Sequence, residues 1–233
     1  MCFFLNFFSS ICIYRVRTTN KMTIYHDIVY NRKEGTYPKK LVDYLYNVYM
    51  KKPFWSLLDY GCGTGTYTEL WKTKYVVSGV DNEINFEKDK LPFQDNSFGF
   101  VFSKSVIEHV SNTQHMLAEA YRVLHNCGKI VVMTPAWEYN YKDFYNDPTH
   151  IKPFHRKGLQ DALKMAGFQE VEVMYFYQLP WLWEKPYLFP IVKLMSLFSR
   201  FKWKDSEETQ MRPNIRFSQE VQLLAIGKKL VKT

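Results

Sequence analysis

The segment Asp59-Tyr60-Gly61-Cys62-Gly63-Thr64-Gly65 constrains this chain more than any other feature. It directly follows the short apolar run Phe54-Trp55-Ser56-Leu57-Leu58, which reads as a buried strand, and directly precedes a helical stretch at residues 66–73. Glycines there let the backbone turn sharply and let a ligand approach main-chain N–H groups with no Cβ in the way. A lone Gly-x-Gly-x-Gly is weak evidence, because many loops are rich in glycine. The strand-turn-helix setting raises its weight considerably.

The rest of the chain repeats that alternation. Pro38, followed by Leu41, Val42, Leu45, Val48 and Tyr49, predicts an amphipathic helix with proline in its first turn. Residues 75–80, 98–102, 129–133, 171–177 and 221–226 read as strands. Ser111 opens a Ser-x-x-Gln capping box with Gln114, ahead of Leu117, Tyr121 and Leu124 on one helical face. Leu159, Ala162, Leu163 and Ala166 give another helix, with Gly167 as its C′ residue. Strands alternating with helices imply an α/β fold, its mostly parallel sheet covered on both faces. A chain of 233 residues suits one large domain of this kind.

A second chemical element stands at the end of the next strand. Asp81 lies 16 residues beyond Gly65, where a carboxylate can accept hydrogen bonds from the two hydroxyls of a ribose. Taken alone, an aspartate there is as readily a solvated loop residue. Beside the glycine loop, the nucleoside reading is preferred.

These residues resemble a family. Leu57 to Gly65 is similar to motif I of the class I S-adenosylmethionine-dependent methyltransferases, and Val80-Asp81 to their ribose-binding acidic position. Leu91-Pro92-Phe93-Gln94-Asp95-Asn96-Ser97-Phe98 resembles the signature before the fourth strand in the type-11 subgroup. Val106-Ile107-Glu108-His109-Val110 resembles the segment after that strand. Glu119-Ala120-Tyr121-Arg122-Val123-Leu124 with Gly128-Lys129 matches the helix and turn before the fifth.

The resemblance implies a Rossmann-like class I methyltransferase fold with an antiparallel last strand, and S-adenosyl-L-methionine as cofactor. Asp59 would help hold the cofactor's amino group, and the backbone of Gly61 and Gly63, followed by Gly65, would pass under its methionine part. Asp81 and Asn82 would take the ribose, residues 87–90, Glu87 first, would flank the adenine, and Ser103 would face the methionine moiety. Three departures stand out. Gly99 occupies a usual aspartate position, which removes a local hydrogen bond, Cys127 a usual glycine position, and the short spacing from Asp81 to Leu91 curtails the usual helix and third strand beside the adenine pocket.

On the acceptor side, Asn146-Asp147-Pro148-Thr149-His150-Ile151-Lys152-Pro153-Phe154 follows the fifth strand. It resembles an Asp-x-Thr-His-x-x-Pro-Phe segment of bacterial-type methyltransferases associated with sugars and cell-surface glycans. His150 is a candidate base, oriented or charged by Asp147 or Asp143. It is equally a candidate for pinning the loop. His109 is a second candidate base, with a purely architectural role as its alternative.

Composition narrows the partners only partly. A net charge of +8 favours an anionic partner, but no dense Lys/Arg run or RNA-binding module points to nucleic acid. Cys2, Cys12, Cys62 and Cys127 lack metal-ligand spacing and secreted-scaffold density. No metal site is therefore read, and a cytoplasmic setting is expected. Residues 3–14 are apolar but too few to span a bilayer. They read either as a membrane-touching anchor or as a translated upstream stretch before a working start at Met22. Residues 1–21 are accordingly an extension to a single domain over 22–233, with an aromatic-rich insertion at about 179–216.

Within that insertion, residues 179–203 combine Trp181, Trp183, Pro186 and Pro190 with a helix whose polar stripe is Lys193, Ser196, Ser199 and Arg200. A lid, a dimer face or peripheral contact with a membrane are the readings, a lid or core role being the commonest use. The resulting expectation is O-methylation of a small molecule, or of a sugar of a glycan or of a nucleotide- or lipid-linked precursor. Methylation of a quinone-like lipid or an RNA base, and a non-catalytic cofactor-binding scaffold, are the alternatives.

Overall fold

The computed structural model describes residues 36–51, 53–199 and 220–230, with side chains of the helix before residue 200 described to residue 194. Readings made for residues 1–21, Met22, residues 200–219 and the side chains of Ser196 and Ser199 lie outside these.

Helix α1 (Tyr37–Leu45) has Pro38 in its first turn, where a missing N–H costs nothing, and runs on as one wider turn, Tyr46–Met50. Strand β1 (Ser56–Tyr60), helix α2 (Thr66–Trp71), strand β2 (Val76–Val80) and strand β3 (Phe98–Lys104) follow. Next come helix α3 (Thr113–Val123), strand β4 (Leu124–Pro135), the one-turn helix α4 (Trp137–Asn140) and helix α5 (Arg156–Met165). Strand β5 (Gln169–Tyr177), helices α6 (Pro180–Glu184) and α7 (Phe189–Ser199), and strand β6 (Val221–Lys228) complete the order.

The six strands form one sheet in the order β2-β1-β3-β4-β6-β5. β1 to β4 run parallel, and β6 is antiparallel to both its neighbours. Period-2 alternation divides the central strands between two cores. Val101 of β3, Ile130 and Val132 of β4 and Leu223 and Ala225 of β6 face α3 and α5, through Met116, Leu117, Ala120, Leu159 and Leu163. Phe100, Phe102, Val131, Met133, Leu224 and Ile226 face the other way, onto Leu41, Val42 and Leu45 of α1 and Trp71 of α2. Burial on both faces is why these strands read as unbroken apolar runs.

No strand forms between β2 and β3, so β2 is the sheet edge, as the short Asp81–Leu91 spacing leads one to expect. The intervening loop is clasped to α3 instead. Arg122 donates to Glu119 and Asp95 and to the carbonyls of Leu91 and Phe93, while Glu119 accepts from the Leu91 N–H. Leaving β2, the chain re-enters the sheet on the far side of β1. That reversal makes a topological switch point, where open α/β sheets bind ligands beyond their strand carboxyl ends.

One local expectation is corrected. α3 is capped by Asn112, whose Oδ1 accepts from the His115 N–H at 3.2 Å, and not by a Ser111–Gln114 box. The Ser111 N–H is drawn to Glu87 Oε1 at 2.8 Å and Gln114 Nε2 to the Ala162 carbonyl, so the loop and α5 outcompete the box.

Candidate active site at the strand carboxyl ends

The glycine loop sits at the switch point. Gly61, Gly63 and Gly65 have φ of 87°, 53° and 85°, a region that costs any other residue strain. The Gly61 and Cys62 N–H groups both donate to the Val80 carbonyl, which ties the loop to the end of β2. A Cβ at Gly61 would lie 2.2 Å from Val106 Cγ2, so Val106 fills the space that glycine leaves there. At Gly65 nothing lies within 4 Å of that position, and an open cleft of about 450 Å³ runs from Thr64, Gly65 and Thr66 to Pro38 and Lys39. Cys62 packs on Gly79, and burial pushes its thiol up to about 12, so it is a small inert filler.

Asp59 is 2% exposed, with Oδ2 accepting from Thr68 Oγ1 at 2.6 Å. Burial raises its carboxyl to about 7, against the lowering effect of the Thr68 bond and with a further push from Asp81. Asp81 follows β2, its N–H bonded to Glu83 Oε1, and Asn82 next to it is exposed. Ser103, in β3, is 1% exposed, and its Oγ has no partner among the described residues. Glu87, expected beside an adenine, binds the Ser111 N–H through its carboxylate and Asn112 through its carbonyl. In this structure it bridges the loop to α3.

The acceptor-side residues gather on the same edge, beyond β3 and β4. His109 ends the single 3-10 turn Ile107–His109, and its ring centroid is 4.8 Å from that of His150. His150 Nδ1 lies 2.6 Å from the Phe144 carbonyl, which can only accept, so Nδ1 carries a proton and, in the neutral ring, Nε2 the lone pair. Asp147 Oδ2 is 3.9 Å from that Nε2, while Asp147 Oδ1 accepts from Thr149 Oγ1 at 2.5 Å and from the Thr149 N–H. With its O–H donated to Asp147, Thr149 Oγ1 accepts from His109 Nδ1 at 3.0 Å, alongside the Thr149 carbonyl at 3.1 Å. His109 therefore also keeps its lone pair on Nε2. Asp143, the other carboxylate weighed for His150, accepts from Asn146.

Charge follows packing here. Burial lowers His109, against the Thr149 bond and the Asp147 charge. Burial acts to raise Asp147, but the Thr149 bonds and the two imidazoles outweigh it and hold that carboxyl below its usual range.

Sequence reasoning missed Glu108 as a functional group. It is 0% exposed, its Oε2 accepts from Thr134 Oγ1 at 2.9 Å, and its carbonyl accepts from the Ile151 and Lys152 N–H groups. Burial raises its carboxyl, partly offset by hydrogen bonding and by His150 and Lys104. A glutamate inside an otherwise apolar Val-Ile-Glu-His-Val run was the available signal.

Comparison with known proteins bears on the fold that carries these residues. Residues 58–132 match a family model described as a methyltransferase domain. An uncharacterized protein of Methanocaldococcus jannaschii is 32% identical over 144 residues, which cover 56% of this chain and 61% of that protein. The chain thus spans about three-fifths of that curated relative. A SAM-dependent methyltransferase from Archaeoglobus fulgidus superposes with a TM-score of 0.60 at 22% identity, covering 90% of this chain and 100% of that one. Phosphoethanolamine N-methyltransferase 2 of Haemonchus contortus, in complex with phosphomonomethylethanolamine and S-adenosylhomocysteine, gives 0.57 at 17% identity, covering 93% and 59%. At these identities the solved structures share the fold.

Proposed function

We infer that this chain, whose residues 58–132 match a methyltransferase-domain model and whose fold is that of solved SAM-dependent methyltransferases, is an S-adenosylmethionine-dependent methyltransferase of the type-11 group. Its acceptor is a hydroxyl of a small molecule, or of a sugar in a glycan or a nucleotide- or lipid-linked precursor. The observation that carries the reading is one shared edge. The positive-φ glycine loop and Asp81 lie at the carboxyl ends of β1 and β2, and the histidine cluster lies beyond β3 and β4.

The residues fit the cofactor. Ser103 offers a buried hydroxyl with no protein partner among the described residues, and Asp59 a buried carboxylate suited to an ammonium or sulfonium. Gly63 and Gly65 would let the methionine part lie on the backbone, with Asp81 and Asn82 at the ribose. When bound, S-adenosylmethionine supplies a methyl group activated by positive sulfur. The protein's work is then largely positioning. His150 Nε2, with its lone pair free and Asp147 beside it, is placed to hold an acceptor hydroxyl and take its proton.

Calorimetric titration with S-adenosylhomocysteine tests this reading. Saturable binding is expected, weakened roughly 10- to 100-fold in Asp81→Ala, the cost of losing charged hydrogen bonds to a ribose. No binding by the folded wild-type chain would leave a scaffold as the better account.

The surface before residue 200 favours an acceptor near a membrane. Tyr187, Phe189, Ile191 and Leu194 are 71%, 42%, 53% and 55% exposed, so this stretch turns apolar side chains outward. Trp183, by contrast, is packed inward on Tyr44 and Phe176, and its Nε1 donates to the Tyr177 carbonyl. Among the described residues no helix is long and apolar enough to cross a membrane, so the proposed contact is peripheral.

A further inference from the structure

Glu108 poses a problem that methyl transfer does not solve. A fully buried carboxylate with one oxygen bonded to Thr134 leaves Oε1 without a partner among the described residues. An oxygen of this kind, removed from water and unpaired, is costly and calls for an explanation. One oxygen of Glu108 and one ring nitrogen each of His109 and His150 lie within 4.8 Å of one another. In both rings Nδ1 is engaged as a donor, to Thr149 and to the Phe144 carbonyl, so the nitrogen left to each is Nε2. Histidines that bind metals are oriented in this way, by donation from the other ring nitrogen to a carbonyl or carboxylate.

We propose that Glu108, His109 and His150 form a site for a first-row divalent cation such as zinc, manganese or cobalt, open on the acceptor side. Two imidazole nitrogens and one carboxylate suit these ions, whereas magnesium and calcium prefer all-oxygen ligands. The supporting groups are already in place. Thr134 orients Glu108, and Asp147 fixes Thr149, which fixes His109. Glu108 and Asp147 together supply two negative charges for a dication. Lys104, whose charge bears on Glu108, turns its Nζ to Ser105 Oγ at 3.3 Å.

The inference rests on the reading that this cluster is the acceptor side. A cation there binds the acceptor's hydroxyl oxygen and acidifies it. The hydroxyl proton passes to solvent, the O–CH3 bond forms as the S–CH3 bond breaks, and S-adenosylhomocysteine leaves. His150 then serves as a ligand, and coordination replaces it as the cause of deprotonation.

The test uses the full chain, stripped with a chelator and titrated with Co2+ while its visible absorption is followed, with Zn2+ as competitor. S-adenosylhomocysteine is titrated in parallel. Saturation at one Co2+ per chain is expected, displaced by Zn2+ and weakened about 100-fold or more in Glu108→Gln and His150→Ala. Retained S-adenosylhomocysteine binding would show that these variants are folded. No saturable Co2+ uptake, or equal uptake by the variants, overturns the site while leaving the methyltransferase reading to its own titration. Specific Co2+ binding with no S-adenosylhomocysteine binding would uphold the site and remove that reading instead.

Discussion

Asp59 is the residue whose chemistry depends most on where the fold puts it. An aspartate raised to about 7 by burial is protonated in the folded protein over a range where the unfolded chain is ionised. Between the unfolded value near 4 and about 7 the folded state holds more protons, so this group's contribution to stability falls as pH rises through that window. The full effect is on the order of a few kcal/mol. Asp59→Asn, which can still accept from Thr68, should therefore gain in Tm over wild type from pH 5 to pH 8. A constant difference in scanning calorimetry would contradict this. The sequence shows Asp59 at the mouth of a glycine loop, yet its burial depends on Thr68 and the strand packing around it. Gly99 tells the same story. Its missing aspartate reads locally as a lost hydrogen bond, whereas a Cβ there would lie 1.9 Å from Phe54 Cβ. The glycine makes room for a ring that stacks on His125 and meets Phe100 edge-on, partners no local pattern could name.

Elements are held at their ends by residues far away in sequence. The last carbonyls of α3 have no intrahelical donors; the Asn96 and Ser97 N–H groups serve those of Arg122 and Val123, and Lys229 adds its ammonium from beyond β6. Its Nζ donates to the Tyr121 and Leu124 carbonyls, to that of Arg122 at 3.3 Å and to Asn96 Oδ1, adding a cation at the negative end of the helix. Lys229→Met keeps the stem and removes every donor, so it should cost about 2–4 kcal/mol. Urea unfolding with an unchanged m-value and a lower midpoint would show it; an unchanged midpoint would mean water replaces the lysine. Helix and strand positions were largely legible from periodicity, because α1 and α5 each carry one apolar stripe and the strands are continuous. Terminal chemistry was not. Asn112 takes the cap because Ser111 is held by Glu87, and Cys127, at φ 65°, is held by the Lys229 carbonyl.

At the scale of the molecule, the edge at β2 follows from a spacing visible in the sequence, while the meeting of Glu108, His109 and His150 needs two loops brought together by the sheet. The outward apolar surface before residue 200 has its own consequence. Vesicles containing phosphatidylserine should co-sediment the chain more than neutral ones, given its charge of +8. Ile191→Glu with Leu194→Glu should lower that binding at least 10-fold, since each buried aliphatic side chain contributes about 1.5–3 kcal/mol. Equal sedimentation of variant and wild type would point to a lid or a self-contact. The strand order also sets a timetable. β6 lies between β4 and β5 although it is made after both. As the chain leaves a ribosome, β1 to β4 can join early, but β5 waits as an open edge until residues 221–228 emerge and slot in beside it. Translation that stalls in the preceding stretch would leave two unsatisfied edges at once, and a nascent chain in that state is a natural client for a chaperone.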